Sequence, residues 1–386
     1  MVYGFLGLSL SGYLIAILIL TQLTIASVTI FLHRHQSHMA LKLHPIASHF
    51  FRFWLWLATG IKTKEWVSVH RKHHAKCETI EDPHSPKNWG LKTMLLRGAE
   101  VYRAGKTPDT IATYGIGTPD DWVEKNIYSK YDKLGIGLML CIDLFLFGIP
   151  GLSIWALQMM WIPFWAGGVI NGLGHCFGYR NFEPNDASTN VFPWGLLIGG
   201  EELHNNHHAF PASAKLSVKW WELDMGWFYI RLLQLFRLAE VKKVRPVLRL
   251  KKVKQSIDFE VVKLLINNRL QFLDEYSRKV ILPTLKKERL HASNILIPNT
   301  ASKLLTCSSS LLDRTNQQIV SDLLKSNLGL NLVCGFRESL QALWADNKTS
   351  QQDLVQALKK WISEAESSGN ALLEKFANSI PYYTVN

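Results

Sequence analysis

Fourteen histidines occur in this chain of 386 residues, and most fall into three tight groups. The first is His33-Arg-His-Gln-Ser-His38, the second His70-Arg-Lys-His73-His74, the third His204-Asn-Asn-His207-His208. A further histidine, His175, follows Asn171 by four positions. In the second and third groups the spacing i, i+3, i+4 predicts one helix face, so that three imidazoles point to one place. Neutral imidazole suits iron, zinc, copper or nickel. A lone HxxH at a membrane boundary is usually a solvated polar surface. Three such clusters, each beside an apolar segment, point instead to one shared metal site. Nine imidazoles exceed what one octahedral ion accepts, so two ions with open positions are expected, as a catalytic rather than a structural site requires.

The elements that must carry these groups are apolar. Residues 1–32 hold no charged side chain, and residues 134–179 hold only Asp143. A bilayer crossing needs about 20 apolar residues, so residues 3–32 predict one crossing and a retained anchor. Residues 134–175, broken at Gly148-Ile149-Pro150-Gly151, predict a helical hairpin of two more. Residues 45–61 are short and interrupted by Arg52, which predicts an interfacial or re-entrant helix. Cations at Lys62, Lys64, Arg71, Lys72, Lys76, Lys87, Arg97, Arg103 and Lys106 place residues 33–133, and everything after 175, in the cytoplasm by the positive-inside bias. Every histidine group then lies on one side. A redox-active metal at that edge suits oxidation of an apolar chain, whose C–H bonds are beyond acid–base chemistry.

The rest of the chain reads differently. Residues 176–240 are aromatic-rich and end in an amphipathic stretch from Trp220 to Leu238. Lys242, Lys243, Arg245, Arg249, Lys251, Lys252 and Lys254 follow, and residues 256–386 have the composition of a soluble helical region. There Ser350 and Asp353 open a helix with Leu354, Leu358, Trp361, Ile362 and Ala365 on one face, closed by Gly369. The expected organisation is a membrane catalytic domain at 1–240, a basic linker at 241–255 and a helical extension at 256–386 with no role assigned. The fold class is all-α integral membrane, with three transmembrane helices, the interfacial helix and a cytoplasmic histidine-rich cap. A net charge of +12 suits anionic lipid or a phosphorylated substrate; no nucleic-acid motif accompanies it. Five cysteines without a CxxC pair indicate neither a disulfide framework nor a zinc ribbon, and fit a reducing compartment.

At these residues the chain resembles the membrane fatty acid desaturases, in particular the acyl-CoA Δ9 (stearoyl-CoA-type) desaturases and their bacterial relatives. The signatures are the HRxxxH box at 33–38, HRxHH at 70–74 followed by Asp82-Pro83-His84, and GEExHNxHHxFP at 200–211. Asn171-Gly-Leu-Gly-His175-Cys-Phe-Gly-Tyr179-Arg180 is similar to the NxxxH…GYR element of the acyl-CoA branch. The resemblance covers about residues 5–240. It implies a diiron centre on His33, His38, His70, His73, His74, His175, His204, His207 and His208, with Asn171 holding a water on one metal. It implies use of O2 and two electrons to place a cis double bond, Δ9 by family default, in a saturated acyl-CoA or acyl-lipid. Trp66 and Trp165 are candidate acyl-channel residues, and Arg180 a candidate contact to a CoA phosphate or lipid head group. His35 and His84 are read as non-ligands, and His44, His49 and His291 as ordinary. No HPGG haem motif occurs, so a ferredoxin-like or other external carrier and its reductase must deliver the electrons. The implied location is a bacterial inner membrane with the active site facing the cytoplasm. Rival readings are a diiron acyl hydroxylase or ketolase on the same scaffold and, from another class, a non-enzymatic membrane metal-binding protein.

Overall fold

The computed structural model describes residues 3–253, 255–291, 297–307, 309–345 and 350–385. It is mostly helical and forms two compact units, residues 1–181 with 186–245, and residues 182–185 with 246–386.

In the first unit the helices are α1 (Leu10–Ala26), α2 (Pro45–Thr59), α3 (Thr63–Lys76), α4 (Pro86–Trp89), α5 (Leu91–Gly105), α6 (Pro108–Tyr114), α7 (Asp132–Phe147), α8 (Ile149–Ile162), α9 (His204–Ala209) and α10 (Met225–Leu235). The Ser9 hydroxyl caps α1 by accepting from Gly12 N. α1 runs without a break into wide π-type turns at Ser27–Ser37, and α8 runs into similar turns at Pro163–Leu173. With those extensions, two helices among the described residues are long and apolar enough to cross a membrane, Leu10–Ser37 and Ile149–Leu173. α7 has 16 residues and falls short of that length. It is nevertheless the other arm of a hairpin with α8. Gly148 alone makes the turn, at φ 69°, where a side chain would be strained.

Leu10, Leu14 and Leu18 on α1 are 77, 60 and 60 % exposed, whereas Ile25, Phe31 and Leu32 further along the same helix are buried. The outer part of α1 therefore presents an apolar surface that suits lipid, and its inner end belongs to the core. That core joins Ile25, Phe31, Leu32, Leu41, Leu55, Ile162 and Ile170. α5 and the Pro163–Leu173 segment approach so closely that a Cβ on Gly98 would lie 2.9 Å from the carbonyl carbon of Gly167. Arg52 does not interrupt α2. Its guanidinium is buried and donates to Asp121 at 2.6 and 3.0 Å and to Glu124 at 2.9 Å, partners distant in the chain. Strand Leu41–Leu43 pairs antiparallel with Ala239–Val241.

The second unit packs Leu265, Phe272, Tyr276, Ile281, Leu330, Leu340, Leu358, Trp361 and Phe376 into its own core. The helix read from Ser350 spans Gln351–Glu366, with the Ser350 hydroxyl accepting from Asp353 N and with Leu358, Trp361, Ile362 and Ala365 buried. Strand Leu248–Leu250 pairs antiparallel with Tyr383–Val385. Residues 239–250 thus supply a strand to each unit, one on either side of Lys242 to Val247.

Candidate metal centre

Within twelve residues of the end of α1, the chain has delivered His33 and Ser37 on wide turns and His38 just past them. Arg34, between them in sequence, is 1 % exposed and makes a two-pronged ion pair with Asp224, at 2.8 and 3.1 Å. It also donates to the carbonyls of Ala214 and Gly199. The helix end bearing the first histidines is thereby fixed to the loops that flank α9. α3 carries His70, His73 and His74, α9 carries His204, His207 and His208, and His175 follows the Pro163–Leu173 segment.

The nine histidines converge, but in two groups rather than one. The donor atoms of His33, His38, His70, His74 and His207 lie within 4.8 Å of one another, as do those of His73, His175, His204 and His208. Each helical box is therefore split. His70 and His74 serve one group while His73 serves the other; His204 and His208 serve that second group while His207 joins the first. The reason is helix geometry. Residues i and i+4 are about 40° apart around the axis, whereas adjacent residues diverge by about 100°. The expectation of three imidazoles aimed at one place is corrected accordingly.

The donor set fits metal ions. Carboxylates accept from His73 (Asp82, 2.9 Å), His175 (Glu78, 3.1 Å) and His208 (Asp186, 3.1 Å) at Nδ1. A carboxylate can only accept, so the proton sits on Nδ1 and Nε2 presents a bare lone pair. Yet Nε2 of His73 faces Nε2 of His208 at 3.4 Å, and Nε2 of His175 faces Nε2 of His204 at 3.1 Å. In the other group Nε2–Nε2 separations are 3.0 Å for His33–His207, 2.8 Å for His38–His70 and 2.8 Å for His74–His207. Lone pairs so opposed call for a cation between them. With a metal–nitrogen bond of about 2.1 Å, neighbouring ligands sit ~3.0–3.4 Å apart. The imidazoles are also held neutral. Burial, and then repulsion among neighbouring rings, keeps His38, His70, His73, His74, His204, His207 and His208 well below the ordinary histidine pKa.

A cavity of about 390 Å³ opens onto this centre. α3 lines it with Trp66 and Val69, α5 with Gly98, Ala99 and Tyr102, and the hairpin with Ile136, Met159 and Ile162; it reaches His33, His70, His204 and Asn171. Trp66 stacks on His70, centroids 5.0 Å apart at 13°. Trp165 is not on the cavity wall; it packs against Trp161 and Phe164. Arg180 is likewise not on that wall and donates to the carbonyls of Asp186 and Ser188, bracing the loop that carries Asp186. His35 turns to the carbonyl of Leu41, and His44 caps α2. His84 is buried with its ring 4.4 Å from His73, and its backbone N donates to Asp82. The side chain of His291 lies outside the described residues.

Sequence reasoning missed Glu78, Asp186, Glu201 and the Arg34–Asp224 pair. The one available signal was charge where none is expected: Arg34 at the end of an uncharged helix, and two acids directly before the third box.

A family model described as fatty acid desaturase matches residues 9–234. The Delta-9 desaturase-like 4 protein of Arabidopsis thaliana is 29 % identical over 248 residues, spanning 61 % of this chain and 78 % of its own length. The sn-1 stearoyl-lipid 9-desaturase of Anabaena variabilis is 31 % identical over 216 residues, spanning 55 % and 76 %. The acyl-CoA C20 Delta5-desaturase of Anemone leveillei is 29 % identical over 223 residues, spanning 56 % and 69 %.

Proposed function

Because this chain belongs to the fatty acid desaturase family, we propose that it places a cis double bond, at Δ9, in a saturated fatty acyl chain bound in the cavity beside a nine-histidine diiron centre. The observation that carries the reading is that both histidine groups meet one mainly apolar cavity, through His33 and His70 from the first and His204 from the second. The net reaction consumes the acyl chain's two hydrogens, O2, two electrons and two protons, and yields the alkene and two waters. Iron held by the two groups would supply the one-electron and O2 chemistry that no side chain offers.

The chain's own residues do the rest. His33, His38, His70, His74 and His207 would hold one ion, and His73, His175, His204 and His208 the other, with Asn171 acting through a water. Trp66, Val69, Ile136, Met159 and Ile162 give the acyl chain an apolar wall and exclude bulk water. Gly98 and Gly167, on the same wall, let α5 and the Pro163–Leu173 segment come into close contact. Lys62, Arg103, Lys106 and Lys133 outnumber Glu65, Asp132 and Glu201 on the same cavity by one. That excess of cations favours a phosphate-bearing carrier, and we take acyl-CoA as the substrate. Relatives named as acyl-lipid desaturases favour a second reading, in which the acyl chain is esterified in a lipid. Three crossings, with the centre on the cytoplasmic side of a bacterial inner membrane, complete the proposal. An external ferredoxin-like carrier with its reductase would provide electrons, and the basic run from Lys242 suits an acidic protein of that kind.

Expression in a strain lacking unsaturated fatty acids, followed by fatty-acid analysis, tests this. A product lighter by two hydrogens supports desaturation, and one heavier by an oxygen supports the rival hydroxylase. Supplying purified protein with acyl-CoA or with acyl-lipid separates the two carriers. His73→Ala, His175→Ala and His207→Ala should each abolish turnover while membrane insertion persists. Turnover retained in all three would refute the shared site.

A further inference from the structure

The two donor groups differ in what stands behind them. In the four-histidine group three rings have a carboxylate on Nδ1, and these carboxylates are themselves pinned. Asp82 accepts from the backbone N of Glu78 and of His84, Glu78 from Ala187 N, and Asp186 from Ser188 N. In the five-histidine group only His33 has an anionic neighbour, Glu201 at 2.8 Å, a charge contact not aligned as a hydrogen bond. Glu201 is in turn drawn to Arg34, at 4.0 Å, and to the Thr29 hydroxyl. Among the described residues, no carboxylate lies within 4.0 Å of His38, His70, His74 or His207.

A carboxylate on the far nitrogen fixes the ring's tautomer and orientation and makes it a stronger donor; losing one typically weakens metal binding by ~10–100-fold. Charge acts in the same direction. Around a divalent ion, three carboxylates leave the four-histidine surroundings net negative, while one leaves the five-histidine surroundings net positive.

We propose that the two metal positions are unequal by construction: Asp82, Glu78 and Asp186 are positioning residues for the ion on His73, His175, His204 and His208 alone. The ion on the other five histidines depends on ligand number instead. This rests on the two-metal reading given above.

The test uses full-length protein, stripped with a chelator and reloaded anaerobically with ferrous iron enriched in 57Fe. Binding is followed by equilibrium dialysis, and the environment of each iron by Mössbauer spectroscopy. Wild type should take up two irons and show two doublets of equal area. Asp82→Asn should weaken one iron by ~10–100-fold and alter one doublet, leaving the other untouched. His38→Ala should remove the doublet that Asp82→Asn spares, and Asp82→Glu should recover part of the lost affinity. Glu78→Gln repeats the test from a different position should Asp82→Asn fail to fold. A single doublet in wild type overturns the proposal, as does equal weakening of both irons, or of neither, in the asparagine variant. A chain that binds no iron overturns the metal reading itself.

Discussion

Replacing Arg34 by methionine is the sharpest test of how the centre is held. The side chain is 1 % exposed and donates four hydrogen bonds: two to Asp224, one to the Ala214 carbonyl and one to the Gly199 carbonyl. Methionine has similar reach and no donors, so Arg34→Met leaves a buried carboxylate and two buried carbonyls without that partner. Breaking a buried pair from one side costs ~3–5 kcal/mol. Asp224 keeps the backbone N of Leu216 and of Trp227 as donors, which places the cost near the lower end of that range. At about 2–4 °C per kcal/mol for a unit of this size, a cost of ~3 kcal/mol should lower the melting temperature by roughly 6–12 °C. Arg34→Met with Asp224→Asn removes the stranded charge and should recover part of the loss. The assay is thermal unfolding of detergent-solubilised protein, with bound metal counted in parallel. Metal content should drop with Arg34→Met, because His33 sits on the same turn. A shift under 2 °C with full metal content would refute the argument that this pair anchors the first histidine box.

Gln158 donates to Asp143 at 3.0 Å, and both side chains are buried between α7 and α8. Gln158→Leu should cost ~1–3 kcal/mol by stranding Asp143, and adding Asp143→Leu should recover most of it, as read by thermal unfolding. Metal-free protein should lose stability in acid. The buried histidines, His73 and His208 among them, have folded pKa values below the ordinary 6.5, so the unfolded chain binds more protons and stability declines as pH falls below about 6.5. Unfolding of chelator-treated protein at pH 5.5 and at pH 7.5 checks the sign. In the second unit, Trp361 is 3 % exposed and donates to the Phe336 carbonyl and the Ser339 hydroxyl. Trp361→Ala should cost ~3–5 kcal/mol and make residues 246–386 sensitive to limited proteolysis.

Local features were legible in the residues. The apolar runs, the Ser350 cap and the histidine spacings each express a period or a short-range hydrogen bond that needs no partner elsewhere. So the helices, the histidine clusters and the family could all be read in one dimension. The division of labour among those histidines could not. His73 and His74 are neighbours in sequence yet serve different groups, since adjacent residues on a helix point about 100° apart and only the facing helix decides which direction meets a partner. The same limit hid Asp186 behind His208, Glu78 behind His175 and Asp224 behind Arg34, pairs separated by 22, 97 and 190 positions. It also made Arg52 look like an interruption, when Asp121 and Glu124 were waiting in space to satisfy it. The residues by themselves name imidazoles suited to a metal; the tertiary fold decides how they divide into two groups and which charges stand behind each one.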